Sequence, residues 1–282
     1  MSAKGKKRIA AAITHLLMTA LGIVMIYPLL WMLLSAFKTN SEIFGSTALL
    51  PVEPVWDSFI KGWKGTGKVT YTQFYINTFK LVIPTVLFTV FSCSLVAYGF
   101  ARFRFYGKKV LFMLMISTLM LPNSVLIIPR YILYNKLGWL NSYLPFIMPA
   151  LFACYPFFIY MMVQFFRGIP VALDEAAEID GCNTFQVYWR ILLPLMKPAL
   201  FSAAIFQFIW TWNDFFNSLI YINSVSKFPI VLALRMSLDA TAAANWNQVL
   251  AMSVLSLLPG TILFFSAQKY FVEGVSAGSV KG

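Results

Sequence analysis

The residues of this sequence that could take part in chemistry are few and fall into two groups. The 282 residues include ten Asp and Glu side chains and a single histidine, His15, so a metal site built from several histidines is excluded. Three cysteines are an odd number, and Cys93 and Cys154 lie inside long apolar runs, which argues against a disulfide framework. We therefore expect neither a catalytic site nor a metal site in this chain.

The first group lies in an apolar run that is interrupted by one acidic residue. Its members are spaced i, i+3, i+7, i+10 and i+14, which places them on one face of a continuous helix: Gln207, Trp210, Asp214, Asn217 and Tyr221. Polar groups beside aromatic rings are suited to holding a sugar, and an ionisable residue at membrane depth indicates function. The face is a candidate lining for a solute path. The alternative is that it only bonds to neighbouring helices.

The second group is an acidic segment, residues 167–197, that contains Asp174, Glu175, Glu178 and Asp180. Pro170 is suited to a first helical position and Gly181 to the residue after a helix end, so the sequence predicts about three helical turns between them. On that helix Ala172, Ala176 and Ile179 share a face, and the small alanines permit close approach of another surface. The alternative is a solvated connecting helix with no specific partner.

A second helical stretch follows the glycine. Asn183 or Thr184 is suited to its N-cap, and the residues behind it repeat at i, i+3, i+4 and i+7: Phe185, Tyr188, Trp189 and Leu192. This spacing predicts a helix that lies in the plane of the membrane interface and ends at Pro194.

The composition determines which elements must position these groups. Hydrophobic residues make up 60% of the chain and charged residues 11%, which excludes an ordinary water-soluble domain and a disordered chain. Runs long enough to cross a bilayer predict an all-α polytopic membrane protein with six transmembrane helices in one domain, 1–282. The expected spans are 9–37, 75–101, 110–133, 142–166, 198–223 and 246–270, with the loop 167–197 between the fourth and fifth.

The distribution of Lys and Arg residues indicates the orientation. If the N-terminus is cytoplasmic, more cations fall in the inner segments than in the outer loops, which favours both termini and the loop 167–197 inside the cell. The net charge of +12 does not indicate nucleic-acid binding, because the cations are spread in small groups between apolar runs.

The loop 167–197 resembles the EAA loop of ABC importer permeases. The family pattern is Glu-Ala-Ala, three residues, Gly, nine residues, Ile, any residue and Leu-Pro. It is matched without a gap by Glu175, Ala176, Ala177, Gly181, Ile191, Leu193 and Pro194, and Asp180 matches the common Asp-Gly form. One departure is Cys182, where the family often has alanine.

Four further segments resemble the carbohydrate-uptake type of these permeases, to which the maltose permease belongs. They are FKTNSEIF (37–44), AYGFARFRFYGKK (97–109), FIWTWNDFFNSLIY (208–221) and QKYFVEGVSAGSVKG (268–282). The resemblance thus covers nearly the whole chain. It implies a type I ABC importer permease fold in the cytoplasmic membrane of a prokaryote.

The resemblance also implies a division of labour among subunits. The permease is expected to contact membrane lipid and to pair with a second, related permease. An extracytoplasmic solute-binding protein is expected to deliver a sugar or sugar derivative, and two cytoplasmic ATPase subunits to bind ATP and Mg, so that this chain binds no cofactor itself. The EAA helix is then the coupling helix, in which Glu175 contacts a basic ATPase side chain and Gly181 turns the chain back.

Two other classes of membrane protein are alternatives. A polytopic membrane enzyme needs several ionisable residues around one site, and an ion-driven transporter needs several intramembrane charges or broken-helix repeats. The sequence predicts neither. Whether the solute is an oligosaccharide, a monosaccharide derivative, a polyol or glycerol phosphate stays open at this point, as does direct contact between this chain and the solute.

Overall fold

The computed structural model describes residues 3–65, 69–239 and 245–277, and in these ranges the chain is helical without strands. The last resemblance segment, 268–282, extends into 278–282, which lie outside the described residues. In chain order the helices are α1 (Ala3–Ser35), α2 (Asn40–Gly45), α3 (Ser58–Lys64), α4 (Tyr71–Arg102), α5 (Lys108–Ser117), α6 (Asn123–Lys136), α7 (Leu144–Leu151), α8 (Pro156–Gly168), α9 (Ala172–Ile179), α10 (Thr184–Gln186), α11 (Leu193–Leu195), α12 (Lys197–Trp212), α13 (Phe215–Tyr221), α14 (Ile230–Asp239) and α15 (Trp246–Ala277). Short 3₁₀ turns cover Thr118–Met120 and Val225–Lys227, and a π-helix covers Val187–Leu192.

The described residues contain four helices that are long and apolar enough to cross a membrane. If each of two bent helix pairs is one span, there are up to six. The four are Ala11–Ser35, Tyr71–Arg102, Leu144–Gly168 and Trp246–Gln268. The bent pairs are Lys108–Met120 with Asn123–Lys136, at 105°, and Thr184–Leu195 with Lys197–Trp212, at 75°. This arrangement is compatible with the six expected spans, although the third is not straight.

The helix breaks were not predicted from the sequence. The third expected span, 110–133, breaks at Leu121, which is extended because the following Pro122 disfavours the helical conformation. The fourth breaks between α7 and α8, where Ala153 has a φ of +54°. The fifth, 198–223, breaks between α12 and α13. By contrast, Pro28, Pro84 and Pro259 lie inside helices that continue through them.

The chain packs as two compact units. The first comprises residues 1–71 and 234–257. Within it the Tyr71 hydroxyl and Ser237 Oγ are 3.0 Å apart, Phe44 packs edge-on against Trp246, and the buried Lys38 donates to the Ala48 carbonyl. Along residues 11–30 of α1 the apolar side chains are exposed on all sides, as expected for a helix that is surrounded by lipid or by other membrane helices.

The second unit comprises residues 72–233 and 258–282 and contains a large buried cluster. This cluster joins the C-terminal part of α4 to α8, the loop 167–197 and the start of α12. Its fully buried large side chains include Phe158, Met162, Phe166, Tyr188, Leu192 and Met196. The loop that carries the EAA pattern is therefore packed into a core rather than suspended in solvent.

Candidate functional site

Helix α9, in the loop 167–197, is short and ends in a glycine turn. It has eight residues, about two turns instead of the expected three, because it begins at Ala172 and not at Pro170. Gly181 has a φ of +84°; its N–H donates to the Glu178 carbonyl and that of Cys182 to the Ala177 carbonyl. These two bonds form a Schellman motif, which requires the left-handed conformation that glycine adopts most easily.

The face of α9 that was predicted to be open to another protein does not pack against the core. Ala172, Ala176 and Glu175 are exposed, and the Ile179 side chain is 87% exposed. Ala177, the third residue of the EAA triplet, is 4% exposed and packs into the buried cluster. A large apolar side chain at this level of exposure, beside small residues and a carboxylate, is suited to a protein contact.

The inner side of α9 carries a contact that the sequence did not predict. Arg102 Nε lies 2.6 Å from Asp174 Oδ2, with the two side chains 8% and 13% exposed, and Arg102 Nη2 donates to the Ile169 carbonyl at 2.9 Å. Asp174 Oδ1 is buried without a hydrogen-bond partner. Burial raises the pKa of Asp174, and the neighbouring Arg102 opposes the rise only in part. In the sequence, Asp174 is one of four acidic residues of the loop 167–197, and nothing singles out Arg102 as its partner.

The stretch after Gly181 begins as predicted but continues differently. Asn183 and Gln186 form a capping box: the Asn183 N–H donates to Gln186 Oε1 at 2.8 Å, and the Gln186 N–H to Asn183 Oδ1 at 2.9 Å. Beyond it the backbone is a π-helix, and Pro194 does not end the helical segment, because α11 and α12 follow. Pro194 has no N–H to donate, so an α-helical bond is missing at this point.

The aromatic residues of this stretch do not all lie at a membrane interface. Tyr188 and Leu192 are buried in the core, whereas Phe185 and Trp189 are exposed and stack on each other with ring centroids 6.3 Å apart. The prediction of a helix at the membrane interface is thus wrong for Tyr188 and Leu192, which are buried. Of the remaining EAA positions, Ile191 and Leu193 are half-buried against the core, and Pro194 is exposed.

The five candidates for the solute path do not share one continuous helix face. The break after α12 makes Asp214 the N-cap of α13, where its carboxylate accepts from the backbone N–H of Asn217 at 3.2 Å and from Asn217 Nδ2 at 2.9 Å. Gln207 is buried and bonded to Thr211, and Tyr221 is also buried. The bond of Gln207 lies within α12 itself, so burial rather than bonding to a neighbouring helix separates these two residues from a solute path.

Trp210 is the member of this group that is most open to the surroundings. Its side chain is 47% exposed, and its ring packs against Phe157, Phe158 and Phe206. Asp214 and Asn217 are half-buried beside the helix break. A solute contact in this region would therefore involve Trp210 and the break, not a five-residue stripe.

Replacement of Asp214 separates its capping role from any contact with solute. Asn is as good an N-cap as Asp, so Asp214→Asn is expected to change stability by a few tenths of a kcal/mol, whereas Asp214→Ala loses about 1 kcal/mol. Thermal unfolding of the purified protein measures both variants. A large loss of stability in Asp214→Asn would contradict the capping role, and altered uptake by that stable variant would support a path role.

The comparisons with known proteins settle the family. Residues 90–277 match the family model described as "Binding-protein-dependent transport system inner membrane component". The chain belongs to this family. The permease is therefore a membrane-embedded transport subunit of an ATP-binding-cassette importer. Within its described residues no group of three or more His, Cys, Asp or Glu side chains is placed to hold a metal ion.

Relatives cover nearly the whole permease. It is 36% identical over 260 residues to "Probable ABC transporter permease protein YurM" of Bacillus subtilis (strain 168), covering 92% of this chain and 85% of that protein. It is 32% identical over 263 residues to "Arabinooligosaccharides transport system permease protein AraQ" of the same organism, covering 93% and 92%. "Galactooligosaccharides transport system permease protein GanQ", also from that strain, is 28% identical over 279 residues, covering 99% and 98%.

Solved structures support the fold. A chain in the crystal structure of a bacterial ABC transporter that imports the acidic polysaccharide alginate matches with a TM-score of 0.81 at 23% identity. The match covers 94% of the permease and 98% of that chain. A chain of the alginate transporter in complex with an alginate pentasaccharide-bound periplasmic protein matches with a TM-score of 0.65 at 16% identity, covering 94% of both chains.

Proposed function

We propose that this permease imports an oligosaccharide and that the exposed face of α9 docks on a cytoplasmic ATPase subunit. The observation that carries the proposal is the geometry of the EAA loop. Glu175, Ala176 and Ile179 are presented on a short helix whose opposite side, Asp174 and Ala177, is fixed to the core. A rigid helix with one open face is suited to transmit a push from a separate protein.

The partners follow from this role. Two ATPase subunits bind and hydrolyse ATP with Mg, a second related permease completes the path, and an extracytoplasmic binding protein delivers the sugar. Glu175 makes a charge-assisted contact with a basic ATPase side chain, and both termini are cytoplasmic. The related permeases named for arabinooligosaccharides and galactooligosaccharides, and one named for starch degradation products, favour an oligosaccharide as the solute.

Two measurements test the proposal. The permease is extracted from its native membrane in mild detergent, and ATPase subunits are expected to copurify with it. The solute-binding protein of the same transporter is then heated with a panel of oligosaccharides and simple sugars, and one oligosaccharide is expected to raise its unfolding temperature. If no ATPase subunit copurifies with the permease, the coupling role is contradicted. If only a non-sugar solute stabilises the solute-binding protein, the substrate class is contradicted.

The glycine turn after α9 provides a prediction at one residue. A methyl group at position 181 would meet no atom within 4 Å, so Gly181→Ala creates no clash. An L-residue at a φ of +84° nevertheless costs about 1–2 kcal/mol, which favours a different turn and a displaced α9. We expect Gly181→Ala to insert in the membrane normally while uptake falls several-fold, and Gly181→Val to lose more.

Uptake of the oligosaccharide identified by the binding-protein screen measures this effect in whole cells. Gly168→Ala is the matched control, because position 168 is also open to a methyl group but lies at the end of α8 without a left-handed φ. Normal uptake by both Gly181 variants would contradict the requirement for this turn.

A further inference from the structure

One face of α4 makes polar contacts with three separate parts of the coupling loop. The contacting residues are Ser94, Tyr98 and Arg102, spaced i, i+4 and i+8, which places them in a row along the helix. Ser94 Oγ lies 2.7 Å from the Tyr188 hydroxyl, and the Tyr98 hydroxyl donates to the Thr184 carbonyl at 3.2 Å. The Arg102 guanidinium forms an ion pair with Asp174 and donates through Nη2 to the Ile169 carbonyl.

These polar contacts are buried and reinforced by aromatic packing. The rings of Tyr98 and Tyr188 lie 5.1 Å apart between centroids, and Tyr98 also packs against Phe166 at 5.8 Å. Ser94 and Tyr188 are almost fully buried. Closely packed interiors shift as units between discrete arrangements and do not deform smoothly, so this region is suited to move as one body.

The way each helix is connected to the loop makes this row important. Helices α8 and α12 continue directly into the two ends of the loop 167–197, so they follow its movement through the chain itself. Helix α4 is separated from the loop by more than sixty residues of sequence and is joined to it only by side-chain contacts. Apolar side chains of the buried cluster also pack between α4 and the loop, whereas the polar contacts pair individual residues of the two.

We propose that the row Ser94, Tyr98 and Arg102 is the receiving surface through which movement of α9 reaches the second membrane span. Arg102 and Asp174 are positioning residues in this mechanism, because they act on the span and not on solute or nucleotide. The inference rests on the proposed function, in which an ATPase subunit moves α9. It adds a specific route by which that movement enters the bundle.

Distance measurement by double electron–electron resonance tests the route without knowledge of the solute. Spin labels are placed at the exposed positions Leu87 on α4 and Arg190 in the loop, after replacement of the three native cysteines. The intact transporter with its ATPase subunits is measured without nucleotide and after trapping with Mg-ATP and vanadate. We expect the unmodified pair to keep one narrow distance in both states, because α4 and the loop move together.

The variant that combines Tyr98→Phe, Tyr188→Phe, Arg102→Ala and Asp174→Ala removes all three polar contacts without leaving a single buried charge. We expect it to retain its ATPase subunits and to have the unmodified distance without nucleotide. Trapping with Mg-ATP and vanadate is then expected to shift or broaden the distance, since the loop moves and α4 does not follow. The matched control is Asp57→Ala with Lys61→Ala. It removes an exposed ion pair between Lys61 of α3 and Asp57, the N-cap residue of that helix, and is expected to behave as unmodified protein.

The outcomes separate this inference from the proposed function. If ATPase subunits bind and the quadruple variant keeps the same distance in both nucleotide states, the route through Ser94, Tyr98 and Arg102 is overturned while the coupling role stands. A nucleotide-dependent distance in the unmodified protein would also overturn the route, because α4 and the loop would not move together. If no ATPase subunit accompanies the unmodified permease, the proposed function fails and this inference fails with it.

Discussion

Ile179→Asp is expected to abolish binding of the ATPase subunits while leaving the fold intact. The side chain of Ile179 is 87% exposed, so its replacement removes almost no packing inside the permease. In the proposed complex the same position lies in the middle of the docked face, beside Ala176 and Glu175. Loss of an apolar anchor of this kind costs about 2–4 kcal/mol, which is roughly a 30- to 1000-fold loss of affinity.

Copurification of ATPase subunits with the permease, followed by its thermal unfolding, measures the two halves of this prediction. Ile60→Asp is the control, because Ile60 is a comparably exposed isoleucine on α3, in a loop that the charge distribution places outside the cell. Normal recovery of ATPase subunits with Ile179→Asp would show that α9 is not the docking surface. Equal loss with Ile60→Asp would show that the effect is not specific to α9.

Arg102→Leu is expected to have the largest effect on stability of any single substitution discussed for this permease. It leaves Asp174 charged, buried and without its partner, with Oδ1 already lacking a hydrogen bond. Breaking a buried pair in this way costs about 3–5 kcal/mol. For a chain of this size the unfolding midpoint should fall by roughly 5–15 °C.

The loss of stability in Arg102→Leu should depend on pH in a defined direction. Burial already raises the pKa of Asp174, and removal of Arg102 takes away the main influence that opposes the rise. A carboxyl whose pKa is higher in the folded state than in the unfolded state contributes stability while it is protonated, and that contribution is lost as the pH rises through the raised pKa. The destabilisation of Arg102→Leu should therefore shrink on acidification and grow towards neutral pH.

Arg102→Leu combined with Asp174→Leu is the matched test of this explanation. Replacement of a buried pair by apolar residues is often neutral, so the double variant should recover most of the lost stability and lose the pH dependence. Thermal unfolding of the three proteins over a range of pH measures the set. Additive losses in the double variant would mean that the two residues do not act as a pair.

Features encoded by neighbouring residues could be predicted from the sequence. Apolar runs predict long membrane-spanning helices, and the turn after α9 follows from Gly181 and the cap at Asn183, because each depends on a few adjacent residues. The EAA pattern predicts that the loop 167–197 is the functional region, and the family comparison confirmed the class of protein.

Features that depend on tertiary packing could not be predicted. The Arg102–Asp174 pair joins residues that are far apart in sequence, so no local spacing indicates it. The breaks at Leu121 and Asp214 were missed because apolar runs report length and composition, while a proline or a side-chain cap decides whether the helix continues. Tyr188, in the π-helix before Pro194, lies in the core, and the spacing of the aromatic residues alone did not indicate this.

Site-specific photo-cross-linking from position 179 is the most direct test of the claim that α9 connects this permease to its motor. A photoreactive amino acid replaces Ile179 in cells that express the complete transporter, and the products of irradiation are separated by size and identified. The account predicts one main covalent product, between the permease and a cytoplasmic ATPase subunit. A main product with an extracytoplasmic protein, or with lipid alone, would contradict it.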